Sequence, residues 1–320
     1  MTAFSGTYLE AIRQALFDAM AADARVCCLG EDIGVYGGAF RATEGLLERF
    51  GPDRVIDTPI SEQAIAGSAI GAALMGQRPV AEFQFMDFAL LASDLMVNFA
   101  AKAHWRWGQS VPAVFRGPSG GGNGGGPFHS QNPEGHFLGS PGLKVVAPGT
   151  VRDAYALLRA AIDDPDPVLI FEHKHLYRRL KDQWSEAPTA RLGEAALRKD
   201  GTRACVITYG AAQHAALEAA ADLDVAVLDL RTLWPLDDAA IADLVKRTHR
   251  VLVLTEASLT YGPGAELAAR IGEACFSWLD APVMRLGAAD TPTPASPPLE
   301  AAFLPGPAAV ASALERLLAW

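Results

Sequence analysis

Short apolar runs alternate with segments whose apolar positions recur at helical spacing, along nearly the whole chain. Val26-Cys27-Cys28-Leu29-Gly30, Arg54 to Asp57, Pro79 to Phe85, Val111 to Arg116, Lys144 to Ala147 and Pro167 to Glu172 read as buried strands. Between them lie helix patterns. Thr7 and Glu10 form a T-x-x-E capping box ahead of Leu9, Ile12, Leu16 and Met20. Ser61 caps a helix running to Met75, with Gly76 as its stop. Asp87 to Trp107 reads as one long apolar helix. Residues 178–201 are polar and without periodicity. A second strand–helix series follows, from Ala204–Thr208 to a last helix near 306–319. Such alternation builds an α/β protein with a doubly wound, mostly parallel sheet in each half. The expected division is a first domain over 1–185, a linker over 186–200 and a smaller domain over 201–320.

The chain's 320 residues suit about two domains. Half of them are hydrophobic, enough for two packed cores. Its net charge of −10 gives no counterion-release advantage on DNA or RNA, so no nucleic-acid partner is expected. No apolar stretch is long enough to span a membrane. The N-terminal residues lack the basic and apolar regions of a signal peptide, and Cys27, Cys28, Cys205 and Cys275 show no metal-type spacing. The expected setting is reduced and cytoplasmic.

Several segments invite a chemical reading beside a plain one. The run Gly117 to Gly126 carries no phosphate-loop signature, and reads either as a mobile loop or as one that orders on binding. It leads to His129, whose imidazole suits proton transfer near neutral pH, although a histidine is as readily a local hydrogen-bonding group. Glu62 stands at the start of the helix after Ser61. It is either a carboxylate favoured by the helix dipole or an acid desolvated at an interface. The second reading draws on residues 64–76, nearly all small, in which Gly67 and Gly71 suggest a close-packed partner backbone. Phe85 and Phe88 follow a strand end, where ligands sit in open α/β sheets; they are core residues or a platform for a flat ring.

Longer motifs narrow these choices. Gly30-Glu31-Asp32-Ile33-Gly34, Gly37 to Leu46 (GGAFRATEGL), Asp57-Thr58-Pro59-Ile60-Ser61-Glu62, Glu82-Phe83-Gln84-Phe85 and His129-Ser130-Gln131 occur in order. Pro141 to Val146 (PGLKVV), Leu176-Tyr177-Arg178 and Asp229 to Leu236 (DLRTLWPL) continue the series. Together they resemble the β subunits of thiamine-diphosphate-dependent 2-oxo acid dehydrogenases, nearly end to end. The resemblance implies a transketolase-like pyrimidine-binding domain followed by a smaller transketolase C-terminal domain. It also implies an α2β2 heterotetramer with an α subunit that holds the diphosphate and Mg²⁺ through a G-D-G…N motif. This chain has no G-D-G.

By the same resemblance, Glu62 bonds the pyrimidine ring nitrogen and promotes the imino tautomer that deprotonates the thiazolium. Ile60, Gln84, Phe85 and Phe88 line the cofactor with it, Phe88 packing on the pyrimidine. His129 serves acyl transfer to the lipoyl group of a partner acyltransferase, the E2 component, which docks through the C-terminal domain. Some relatives hold potassium at a segment matching Ala161-Ile162-Asp163-Asp164-Pro165-Asp166-Pro167. Ala161, Asp164 and Asp166 are the candidate ligands here, against the reading of a solvated acidic turn. The activity implied is oxidative decarboxylation of a branched-chain 2-oxo acid or pyruvate. The alternatives are an acetoin dehydrogenase β subunit and the C-terminal half of a split transketolase-like enzyme.

Overall fold

A computed structural model describes residues 3–320 of the chain. Met1 and Thr2, which open the N-terminal reading above, lie outside the described residues. The chain forms two compact units, one of residues up to Ser119 with Phe137–Leu192, the other of Gly120–His136 with Gly193–Trp320.

The first unit is built on strands β1 (Phe4–Thr7), β2 (Val26–Glu31), β3 (Val55–Thr58), β4 (Arg78–Glu82), β5 (Val114–Ser119), β6 (Lys144–Val146), β7 (Val168–His173) and β8 (Lys181–Trp184). Six of them pair in parallel in the order β6-β7-β5-β4-β2-β3. The residues of β2, β4, β5 and β7 are buried in near-continuous runs, as a sheet covered on both faces requires, whereas the edge strand β3 is exposed at Ile56 and Asp57. β1 and β8 form a separate antiparallel pair, so part of the polar stretch after Arg178 is ordered as a strand. The helix Tyr8–Ala22 starts at the capping box read from the sequence: Thr7 Oγ1 accepts from the Glu10 N–H at 3.3 Å, and Glu10 Oε2 accepts from the Thr7 N–H at 2.7 Å.

The stretch expected as one helix from Asp87 to Trp107 is broken into three. A 3₁₀ segment covers Met86–Ala92, a π-helical segment Leu95–Ala100 and an α-helix only Ala101–Trp107. Phe85 at its start offers no capping side chain, and only the later part carries a polar stripe at helical spacing, Asp94, Asn98 and Lys102 bonded in sequence. The helix Glu62–Leu74 is regular. Among the described residues its glycines do not meet a close backbone: a Cβ at Gly67 would touch Leu95 at an ordinary 3.5 Å, and one at Gly71 would meet none of them within 4 Å.

The second unit carries β9 (Ala196–Lys199), β10 (Ala204–Thr208), β11 (Val225–Asp229), the short β12 (Thr232–Trp234), β13 (Val251–Ser258) and β14 (Met284–Ala288). Its sheet runs β14-β13-β10-β11-β9, parallel except for β9 against β11. β9 thus falls inside the stretch expected to be a linker. Val206, Val227, Leu252 and Leu254 pack with Val310, Leu314 and Leu317 of the last helix, Pro307–Leu318. The segment Gly120–His136 belongs to this unit, although it precedes the first unit's last strands in sequence. Long-range hydrogen bonds to Glu256 and Glu300, described below, tie it there.

Candidate active site

The strand order sets where a ligand fits in the first unit. β2 is flanked by β3 on one side and β4 on the other, so the chain leaves β2 one way and returns, after the helix Glu62–Leu74, on the opposite side. Connections diverge at such a switch, and the carboxyl ends of the strands there open a crevice. The register aligns those ends: Glu31 lies beside Thr58, and Gly30 beside Glu82.

Five of the six catalytic and cofactor residues expected from the sequence gather on the loops at these ends. Ile60 follows β3 and is 76% exposed. Glu62 is the first residue of its helix and is half-buried. No hydrogen bond or ion pair engages its side chain among the described residues. Gln84 follows β4, and its Nε2 donates to Asp32 Oδ2 at 3.4 Å, which links the loops after β2 and β4. Phe85 and Phe88 are half-buried and meet edge to face, ring centres 6.0 Å apart; Phe40 meets Phe85 the same way at 5.7 Å. These rings form a platform at the crevice rather than a closed core.

Acidic side chains act on one another at these strand ends. Burial first, then the negative charges of Asp32 and Glu62, push the Glu31 carboxyl above its ordinary range. Carboxyls that repel one another suit a site that shares a proton with a neutral heterocycle, and they suit a diphosphate badly. Carboxyls and aromatic rings are groups suited to an aminopyrimidine ring, and carboxylates offer no donor to a diphosphate.

Beneath the crevice lies a buried ionic network absent from the sequence reading. Arg116 on β5 is 1% exposed and pairs with Glu82 of β4 and Glu172 of β7. Its Nη2 donates to Glu172 Oε2 at 2.5 Å, and the Tyr177 hydroxyl donates to the same oxygen at 2.7 Å. Burial raises the Glu82 carboxyl against the pull of Arg116. Burial would lower Arg116, but the two carboxylates outweigh it and hold the guanidinium well above its ordinary value. Burial and Glu172 push Tyr177 well up. A Cβ at Gly38, where φ is +85°, would sit 2.8 Å from Glu82 Oε1, so the loop after β2 rests on this network. The signal for it was present: charged residues embedded in otherwise apolar strands.

His129 belongs to the second unit. It follows a short 3₁₀ turn, Gly126–Phe128, and is half-buried. In the same segment Asn132 Nδ2 donates to the Glu256 carbonyl at 3.3 Å, and the Tyr209 hydroxyl to Glu134 Oε1 at 2.6 Å.

The expected potassium ligands are arranged around a protein cation. Lys144 Nζ donates to Asp164 Oδ1 and Oδ2 at 2.6 and 2.8 Å and lies 3.4 Å from Asp166 Oδ2. The Ala161 carbonyl accepts the Asp164 N–H at 3.3 Å. The one ammonium thus pairs closely with Asp164 and more distantly with Asp166. No cluster of three or more His, Cys, Asp or Glu side chains poised for a metal occurs among the described residues.

Comparison with known proteins gives concordant matches. Residues 5–179 match the transketolase pyrimidine-binding domain, and residues 193–310 the transketolase C-terminal domain. The chain is 44% identical over 322 residues to the 2-oxoisovalerate dehydrogenase subunit beta of Bacillus subtilis (strain 168), spanning 97% of this chain and 98% of that protein. It is 45% identical over 320 residues to the 3-methyl-2-oxobutanoate dehydrogenase subunit beta of Mycobacterium tuberculosis (strain CDC 1551 / Oshkosh), spanning 98% and 92%. The chloroplastic pyruvate dehydrogenase E1 component subunit beta-4 of Oryza sativa subsp. japonica is 40% identical over 315 residues, spanning 96% and 79%. Among solved structures, an inactive beta4 tetramer of a split-gene transketolase shares the fold, with a TM-score of 0.81, 20% identity and coverage of 98% and 99%.

Proposed function

Since this chain belongs to the family of 2-oxo acid dehydrogenase E1 β subunits, we propose that it supplies the pyrimidine-side half of a thiamine diphosphate site and completes that site with a separate α subunit. The observation that carries this reading is the crevice itself. Glu62 opens the helix after β3 with no hydrogen bond or ion pair on its side chain among the described residues, Phe85 and Phe88 follow the neighbouring β4, and the negative charges of Asp32 and Glu62 act on Glu31, which disfavours phosphate there. The α subunit would then hold the diphosphate and Mg²⁺, in an α2β2 assembly.

When bound, thiamine diphosphate supplies the electron sink for decarboxylation. This chain's residues serve its pyrimidine side. The Glu62 carboxyl holds a proton against the pyrimidine ring nitrogen. Phe85 and Phe88 pack the ring and exclude water, and Ile60 adds apolar surface. Gln84, bonded to Asp32, fixes the two loops that carry these groups. His129 acts in the later transfer of the acyl group to the lipoyl group of the E2 acyltransferase, which docks on the C-terminal domain. The substrate is a branched-chain 2-oxo acid or pyruvate. At the candidate potassium ligands, Lys144 already lies between the Asp164 and Asp166 carboxylates.

Co-expression with an α-type subunit, thiamine diphosphate and Mg²⁺ tests the reading. Dye reduction is followed with pyruvate and with branched-chain 2-oxo acids. Turnover that needs both chains is expected. A well-formed complex inactive on every 2-oxo acid, or active on acetoin or sugar phosphates instead, would overturn it.

A further inference from the structure

The glycine run has a built role that the chemistry above does not use. Gly120, Gly122, Gly124 and Gly126 all adopt positive φ, at 80°, 83°, 69° and 67°. Such alternation turns N–H groups inward into an anion-binding nest. The anion it holds is a side chain of the same unit. The Gly122 N–H donates to Glu300 Oε1 and the Gly124 N–H to Glu300 Oε2, each at 2.9 Å. Glu300 is 4% exposed, and no cation pairs with it among the described residues. A buried carboxylate without a cation is costly unless fixed donors meet it. The loop and the carboxylate therefore hold each other.

Packing makes the fit specific. The Gly120 N–H donates to the Gln131 carbonyl at 2.9 Å and closes the base of the loop. A Cβ at Gly121 would sit 3.0 Å from Leu304 Cδ1, one at Gly126 3.1 Å from Ala295 Cβ, and one at Gly125 2.6 Å from Ser130 Oγ. His129 lies inside the closed span, directly after the last of these glycines and Phe128.

We propose that Glu300 is a positioning residue: it sets the glycine loop, and through the loop His129, for acyl transfer to the lipoyl group. This rests on the role assigned to His129 above. Acyl transfer here means conversion of the lipoyl disulfide to one thiol and one acyl thioester, its two electrons coming from the decarboxylated substrate. Decarboxylation itself, centred on Glu62, does not depend on the loop in this account.

The test uses the assembled α/β complex with thiamine diphosphate and Mg²⁺. Glu300→Gln keeps the shape and removes the charge. Gly124→Ala keeps Glu300 but puts a Cβ at positive φ, 3.3 Å from the Ala295 carbonyl, and carries the test if Glu300→Gln fails to assemble. Two quantities are read: amide hydrogen exchange over residues 120–131, and the ratio of lipoyl-domain acylation to dye-linked decarboxylation. Exchange should quicken about tenfold, as expected when a charge-assisted hydrogen bond becomes a neutral one. The ratio should fall about tenfold or more, as small misplacements of catalytic groups do.

Unchanged exchange, or equal loss in both half-reactions, would overturn the proposal. His129→Ala run in parallel separates the possible failures. If the ratio falls for His129→Ala and not for Glu300→Gln, the role of Glu300 alone fails. If it falls for Glu300→Gln and not for His129→Ala, the route through His129 fails. If neither moves it, both assignments fail.

Discussion

Replacing Arg116 with methionine would leave Glu82 and Glu172 buried without their cation. Both carboxylates are nearly inaccessible, at 6% and 1% exposure, and neither can rotate to water without opening the sheet between β4, β5 and β7. Breaking a buried pair by removing one partner costs about 3–5 kcal/mol. For a unit of 150–250 residues, a shift of roughly 2–4 °C per kcal/mol makes that a loss of about 6–20 °C in Tm. The loss should depend on pH. Without Arg116, the Glu82 carboxyl, which burial already raises, would be raised further. Groups raised in the folded state contribute stability that is present at low pH and lost as pH rises through the raised value. The deficit of Arg116→Met against the native chain should therefore be smaller near pH 5 than near pH 8. Differential scanning calorimetry at the two pH values reads both effects. A Tm within 2 °C of native, or a deficit that grows toward pH 5, would refute the argument that the arginine exists to hold these two charges.

Other substitutions probe separate parts of the fold. Gly142→Ala would place a Cβ 1.8 Å from the Ala101 carbonyl at a φ of +96°, and should abolish soluble expression; a normally folded variant would contradict the packing at that turn. Gly38→Ala, with its Cβ 2.8 Å from Glu82 Oε1 at positive φ, should cost about 1–3 kcal/mol, read as a lowered denaturation midpoint. Lys144→Met should cost only about 1 kcal/mol, since its ion pair with Asp164 is partly solvated; a collapse of stability would mean the turn needs its cation far more than the geometry indicates. All four cysteines are buried, and burial pushes the Cys28 and Cys205 thiols up to about 12. A thiol-specific dye at pH 8 should react slowly with the native chain and fully after denaturation, and rapid labelling of these two positions would show that the strands open.

Much of this fold is legible in the order of residues, because buried parallel strands are short apolar runs and amphipathic helices keep one period. The capping box at Thr7 and the helix beginning at Glu62 follow from local patterns, and the structure has them where those patterns put them. The 3₁₀ and π segments between Met86 and Ala100 were not readable, since side-chain spacing separates helix from strand but not one helical hydrogen-bond register from another. The crevice residues could be named because they sit just past strand ends. The partners of the glycine loop could not: Glu300 lies 178 residues from Gly122, in the short helix Pro297–Phe303, with no pattern pointing back. Arg116 escaped for a related reason. Its two carboxylates come from different strands, and only sheet register brings Glu82, Arg116 and Glu172 together.

The central claim is that Glu62 of this chain completes a cofactor site shared with an α subunit. The most direct measurement is turnover of the assembled α/β complex carrying Glu62→Ala, with assembly confirmed by size. The account predicts that the complex forms normally and that 2-oxo acid decarboxylation falls by about 10²–10⁴, the range for loss of a positioned proton-transfer group. A complex with Glu62→Ala that turns over within a few-fold of the native rate would contradict it.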